Sequence, residues 1–199
     1  MIVSVVLNHA NIIDGCRLTR AVPKVHRHKD MNELEQRLEE SKGARRVLVI
    51  TDGVSRMDGD IAPLPEIVEL AERHGATAMV DDAHAGGLLE KNGRGTVDQF
   101  GLHGRVHIQV GTLSKATGAL GGYIAGCRAL REWPIQRGRT YLFSTSHPPS
   151  VAAAPIAAID VLLEEPQLIN RHWENTRYVK TELARPGFDT GAARGRSRR

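Results

Sequence analysis

Thr77-Ala78-Met79-Val80-Asp81-Asp82-Ala83-His84 is a short apolar run that ends abruptly in two acids and a histidine. Further on, His107-Ile108-Gln109-Val110 runs straight into Gly111-Thr112-Leu113-Ser114-Lys115. Apolar runs this short, closed by polar or Gly-rich turns, read as buried strands. Working outward, residues 2–7 and 46–51 (RVLVIT) have the same character, the second closed by Asp52-Gly53, and residues 121–125 form a further candidate strand. Helical patterns lie between them. Residues 31–41 follow Asp30 as cap, with Glu33 placed for a capping-box return and Leu34 and Leu38 on one face. Residues 66–74 follow Pro63 and Pro65, carry Ile67, Val68, Leu70 and Ala71 on an inner side, and stop at Gly75. Residues 151–165 and 168–183 read as two more helices.

Strands alternating with helices predict a doubly wound, mostly parallel α/β sheet. Ligands in such sheets bind beyond the carboxyl ends of the strands. Two polar clusters fall there: Asp81, Asp82 and His84, and Thr112, Ser114 and Lys115.

Composition sets outer bounds. The 199 residues are 41% hydrophobic and 25% charged, enough for one domain with a real core and too apolar for a disordered chain. No apolar run reaches the roughly 18 residues a membrane helix needs. The net charge of +4 comes from the last eight residues, AARGRSRR; without their four Arg the remaining basic and acidic residues balance at 23 each. A basic tail on a neutral body argues against a nucleic-acid groove. Cys16 and Cys127 are far apart with no CxxC, so they read as free thiols, and the cytoplasm is the expected compartment.

Each cluster has a plain reading. Asp81-Asp82 caps a turn, His84 is structural, and Lys115 is one more surface lysine. A metal reading of Asp81, Asp82 and His84 stays open, weakened by the lack of a second His or Cys at ligand spacing. Gly111-Thr-Leu-Ser-Lys lacks the spacing of a P-loop. Taken together the residues fit a different chemistry. A carboxylate at a strand end, a histidine three residues on, and a lysine in a Gly/Ser/Thr-rich turn after the next strand are what pyridoxal phosphate requires. The carboxylate keeps the pyridine nitrogen protonated and the lysine bonds the aldehyde carbon.

Four segments carry a resemblance: VDDAHAGGLLEKNGRGT, VGTLSKATGALGGYIAG, MDGDIAPLPEIVELAE and LFSTSHPP. Over roughly residues 7–191 the chain resembles the α-oxoamine synthases, pyridoxal-phosphate enzymes whose large cofactor domain has the aspartate-aminotransferase fold (fold type I). LSKA and GALGGY point to the glycine C-acetyltransferase branch rather than to 8-amino-7-oxononanoate synthase. That branch implies condensation of glycine with acetyl-CoA to 2-amino-3-oxobutanoate, a step of threonine breakdown, in a homodimer. The resemblance assigns Lys115 as the Schiff-base lysine and proton-transfer base, and Asp81 as the partner of the pyridine nitrogen. It places His84 near the 3′ oxygen and His9, in Leu7-Asn8-His9-Ala10, stacked on the ring. Thr112 becomes a phosphate-side hydroxyl, and Ser144 and Thr145 reach the phosphate of the neighbouring subunit. On residue type alone His9 reads as a cap or surface residue.

Two departures stand out. The family turn DGVFSMDGD is here Asp52-Gly53-Val54-Ser55-Arg56-Met57-Asp58-Gly59-Asp60, with Arg56 in place of a cofactor-contacting serine and Ser55 in place of the aromatic. Family members are also about twice as long. A Gly-rich phosphate loop ahead of His9 and a small domain with the arginine for the substrate carboxylate have no counterpart here, which implies a fragment, inactive on its own. The expected organisation is a partial cofactor domain over 1–165, the start of a linking helix over 166–191, and a disordered Arg-rich tail over 192–199.

Overall fold

The computed structural model describes residues 1–56, 58–90 and 92–190. In chain order the elements are β1 (Ile2–Val5), α1 (Ala10–Arg17), β2 (Pro23–His26), α2 (Met31–Glu39), β3 (Leu48–Asp52), α3 (Leu64–Arg73), β4 (Thr77–Asp81), α4 (Thr96–Gln99), β5 (Ile108–Thr112), β6 (Gly122–Gly126), α5 (Arg128–Arg137), α6 (Arg139–Leu142), α7 (Pro149–Glu164) and α8 (Gln167–Ala184). The strands form one six-stranded sheet in the order β2-β1-β3-β4-β5-β6. All neighbours pair parallel except β5 and β6, which pair antiparallel. The expected mostly parallel sheet is therefore present.

Side-chain alternation along the strands divides the sheet into two faces. Val3, Val49, Ala78 and Val80 turn to one face and pack with Leu34 and Leu38 of α2 and Leu64, Ile67 and Val68 of α3. Leu34, Leu64 and Val68 are completely buried, each worth roughly 1.5–3 kcal/mol on removal from water. Ile2 and Ile50 turn to the opposite face, with Ile12 and Cys16 of α1 and the partly buried Leu48 and Met79. The pleat then dictates what the strand ends present. Asp52 follows Ile50 by two residues and Asp81 follows Met79 by two, so both acids point to the α1 face. Asp82 follows Val80 and turns into the α2–α3 side.

Local signals explain the element boundaries. The Asp30 carboxylate accepts the Glu33 N–H at 2.9 Å and opens α2. The return bond differs from the expected capping box: Glu33 Oε2 accepts the Arg27 N–H at 2.8 Å, three residues before the cap. Gly75, at φ +61°, ends the turn after α3. Strand β2 and helices α1, α4, α5 and α6 were not expected from the sequence. Pro23–His26 has two exposed positions of four, so it lacks the apolar run that marks the inner strands. Helix α8 buries Ile169, and Trp173 Nε1 donates to the Leu88 carbonyl at 3.0 Å, which docks the helix on the turn after β4. The proposed tail over 192–199 and Gly191 lie outside the described residues. Among the described residues no helix is long and apolar enough to cross a membrane.

Candidate active site

The ends of β1, β3, β4 and β5 converge on a cleft of about 630 Å³. His9, Asp52, Asp81, His84, Thr112, Ser114 and Lys115 line its polar part, and Ile12, Ile50, Met79 and Val110 part of its apolar wall. Five of the seven expected residues thus share one cavity: Lys115, Asp81, His84, His9 and Thr112. Ser144 and Thr145 do not line it. They lie exposed between α6 and α7, where Ser144 Oγ accepts the Ser146 N–H at 3.1 Å.

Each side chain is placed by a local device. Asp81 Oδ1 accepts the Ala83 N–H at 2.9 Å, which fixes the carboxylate at the mouth of β4. Asp82 is buried and accepts from Thr96 twice, at the main-chain N–H (2.9 Å) and at Oγ1 (2.5 Å). It clamps the strand end from behind and has no part in the cleft. Burial drives the Asp82 carboxyl above its ordinary pKa, against those hydrogen bonds. Thr112 Oγ1 lies 2.7 Å from Ser114 Oγ and accepts the Ser114 N–H at 3.2 Å, shaping the turn that carries Lys115. His9 serves two ends. Its Nδ1 accepts the Asn11 N–H at 3.2 Å and caps α1, so the plain cap reading holds alongside a place in the cleft.

The electrostatics tie these groups together. Burial lowers the His84 pKa; the Lys115 charge adds to this, Asp81 opposes it, and His9 and Arg56 lower it slightly further. Asp52 is pushed up to about 6 by burial and by the Asp81 carboxylate, against the His9 N–H, the His9 ring and Lys115. Lys115, Asp81, His9 and His84 are therefore near enough to weigh on one another's neighbours. Arg56 is exposed and sits close enough to His84 to disfavour its charged form. Ser55 is buried in its own turn, where its main-chain N–H donates to the Asp60 carbonyl at 2.9 Å and its carbonyl accepts from Gly59, and it does not line the cleft.

Sequence reading missed Asp52 and Asn8, and it placed Ser114 in a polar cluster without giving it a role. Asp52 was read as a turn residue because Gly53 follows it. The signal that finds it is its place two residues beyond Ile50, as Asp81 stands beyond Met79. The open metal reading does not hold in this cavity: among the described residues the one cluster with ligand spacing is His28, Asp58 and Asp60, and Lys29 already pairs with the Asp60 carboxylate.

The donor set fits pyridoxal phosphate. Two carboxylates suit a cationic ring nitrogen, a lysine amine suits an aldehyde, and adjacent hydroxyls suit the phosphate side. The family model for aminotransferase class I and II matches residues 1–195. The chain belongs to that family. Among curated relatives, it is 62% identical over 193 residues to an 8-amino-7-oxononanoate synthase of Symbiobacterium thermophilum, a match covering 96% of this chain and 49% of the relative. It is 60% identical over 188 residues to 8-amino-7-oxononanoate synthase 1 of Bacillus subtilis, covering 94% and 48%. Among solved structures, a serine palmitoyltransferase (SPT) with PLP superposes with a TM-score of 0.90 at 35% identity, covering 96% of this chain and 49% of that one. The chain spans about half the length of these relatives. The fold is thus an incomplete fold type I domain, and pyridoxal phosphate is the cofactor of this class I/II fold.

The expected branch is corrected. Relatives at 56–62% identity carry the name 8-amino-7-oxononanoate synthase, which overturns glycine C-acetyltransferase, glycine and acetyl-CoA as substrates, and a place in threonine breakdown. The physical reason lies in what the quoted motifs build. Asp81, Ala83, His84, Gly111, Thr112, Ser114 and Lys115 line the cleft, and nothing in them measures the length of an acyl chain. The wider α-oxoamine synthase assignment stands.

Proposed function

We propose that this chain is the cofactor-holding part of a pyridoxal-phosphate-dependent 8-amino-7-oxononanoate synthase. The observation that carries the reading is one cleft joining Lys115, Asp81, His84 and His9 in a chain 62% identical to an enzyme of that name. The product's own skeleton indicates the substrates. Its amino group on C8 beside a methyl group, next to a ketone at C7, is alanine that has lost its carboxylate and joined a seven-carbon dicarboxylic acyl group. The acyl donor is then a heptanedioyl thioester, with a thiol and carbon dioxide leaving.

Asp81 would hold the ring nitrogen, His9 would cover a ring face, and His84 would face the 3′ oxygen. Thr112 and Ser114 would offer hydroxyls on the phosphate side. When bound, the cofactor supplies a cationic conjugated ring that stabilises negative charge at the amino acid's Cα. Lys115 Nζ would anchor the aldehyde carbon and, once released, take and return the proton at that Cα. Ser144 and Thr145 would serve the phosphate in a second subunit of a homodimer. Residues 1–165 form the cofactor unit and the segment from 166 leads out of it. With Cys16 and Cys127 both unpaired, the cytoplasm suits the chain.

The test is a spectral titration. The full chain mixed with pyridoxal phosphate is expected to gain the visible absorption of the lysine-joined cofactor, and Lys115→Ala to lose it. Adding alanine is expected to change that band at lower concentration than glycine. No band with the unchanged chain, or a clear preference for glycine, overturns the reading.

A further inference from the structure

Asp52 is a buried carboxylate to which none of the roles above assigns a task. It ends β3 as Asp81 ends β4; the two are register partners on neighbouring parallel strands and both line the cleft. Their hydrogen bonds differ. Asp81 accepts from its own strand end, at Ala83. Asp52 Oδ2 accepts the His9 main-chain N–H at 2.9 Å, across 43 residues of sequence. The Asp52 N–H in turn donates to Asn8 Oδ1 at 2.9 Å. Asn8 Nδ2 donates to Ser4 Oγ and to the Ile50 carbonyl, both at 2.9 Å. This ring of bonds ties the Asn8-His9 turn after β1 to the end of β3.

The tether alone does not call for an acid. Asparagine at 52 would accept the same N–H without a charge to bury, and burying a charge is costly unless it is paired. No cationic side chain is hydrogen-bonded to Asp52 among the described residues. The groups facing it are Asp81 from β4, His9 from the turn after β1 and Lys115 from the turn after β5. Two carboxylates side by side in a half-open cleft make a floor that favours a cation above it.

We propose that Asp52 is a positioning residue that fixes His9 at the cleft through the His9 main-chain N–H and adds a second negative charge beside Asp81 where a cationic ring nitrogen binds. This rests on the cofactor reading above and deepens it. Its pKa, raised to about 6, fits such a site: the carboxylate is mostly charged near neutrality, and an arriving cation favours that charge further.

The experiment compares the unchanged full chain with Asp52→Asn and Asp52→Ala. Amide hydrogen exchange without cofactor reads the tether. Protection over residues 8–13 is expected to persist in the Asn variant and to fall about tenfold in the Ala variant. Pyridoxal phosphate titrations at about pH 5.5 and about pH 7.5, either side of the Asp52 pKa of about 6, read the charge. At the higher pH both variants are expected to bind about tenfold more weakly, one pKa unit of lost interaction. The unchanged chain is expected to lose more affinity on acidification than the Asn variant, which has nothing to titrate there. An Asn variant that binds as tightly as the unchanged chain, with the same pH dependence, overturns the charge. Unaltered exchange in the Ala variant overturns the tether. Failure of the unchanged chain to bind at either pH sinks the cofactor reading and the charge with it, while the exchange result judges the tether separately.

Discussion

Gly87 is a point at which the turn after β4 meets the turn after β5 without room for a methyl group. It lies in the turn after β4 at φ +83°, and a Cβ there would stand 2.2 Å from the Ala116 Cβ, next to Lys115. The turn is held from behind, since Gly87 N–H donates to the Gly93 carbonyl at 2.7 Å. Gly87→Ala therefore costs about 1–2 kcal/mol for the left-handed backbone. Overpacking adds about 1–3 kcal/mol in general, and the low end applies because Ala116 is exposed and its turn can move outward. The total is about 2–3 kcal/mol, a fall in melting temperature of roughly 4–12 °C for a chain of this size. The outward movement carries Lys115 with it, so the visible cofactor band weakens as well. Ala116→Gly in the same chain removes the opposing methyl and restores the steric part, leaving the backbone part. Urea unfolding of the unchanged chain, the two single variants and the double variant forms a cycle with an expected coupling near 1 kcal/mol. A Gly87→Ala chain within about 0.5 kcal/mol of the original, the usual range for surface changes, would refute the contact. So would a double variant no more stable than Gly87→Ala alone.

Two further predictions concern the scaffold. His26 is buried, with Nδ1 at 2.9 Å from the Arg27 carbonyl and Nε2 without a partner, and burial lowers its pKa. A depressed histidine favours the neutral form, so its contribution to stability is full above about pH 6.5 and is lost as pH falls from there toward the folded-state pKa. Urea melts across that window should show the loss, and His26→Phe should shrink it. For the Asp82 clamp, Thr96→Val removes the 2.5 Å bond to Asp82 Oδ1 but keeps the main-chain one, for an expected cost of about 1.5–3 kcal/mol, with Thr96→Ser restoring most of it. Equal unfolding midpoints for the Val and Ser variants would remove the clamp from the account.

Strands β1 and β3 were legible because burial on both faces leaves continuous apolar runs, and the partly buried β4 and β5 because short apolar runs end in polar or Gly-rich turns. Strand β2 was not, because it sits at the sheet edge with Pro23 and Val25 exposed. The pairing direction of β6 was equally hidden: Gly122–Gly126 is exposed throughout, and direction is a property of the connection rather than of the strand's own residues. At the site, Asp81 and Lys115 were found by spacing. Asp52 escaped because an acid before glycine has a sufficient explanation as a turn, and only the pleat, read from Ile50, places it on the cleft side. The hydrogen bond from His9 joins residues 43 positions apart and leaves no mark in either local segment.

The same geometry explains why the branch was misread. The residues that share the cleft, Lys115, Asp81, His84, His9 and Thr112, stand at or just beyond the carboxyl ends of β1, β4 and β5, where a parallel sheet gathers its loops. That arrangement answers the electronic demands of the cofactor: a carboxylate for the ring nitrogen, an amine for the aldehyde, hydroxyls for the phosphate. Enzymes that share the cofactor step share those demands, whatever acyl group they transfer. A likeness confined to such residues therefore identifies the chemistry at Cα and is silent on chain length, so choosing a branch from LSKA and GALGGY asked specificity of residues that supply none. Identity spread over the whole chain is a different kind of observation, because it includes positions the cofactor does not constrain. It is on those positions that the proposed 8-amino-7-oxononanoate synthase reading rests, and the alanine-against-glycine titration tests it.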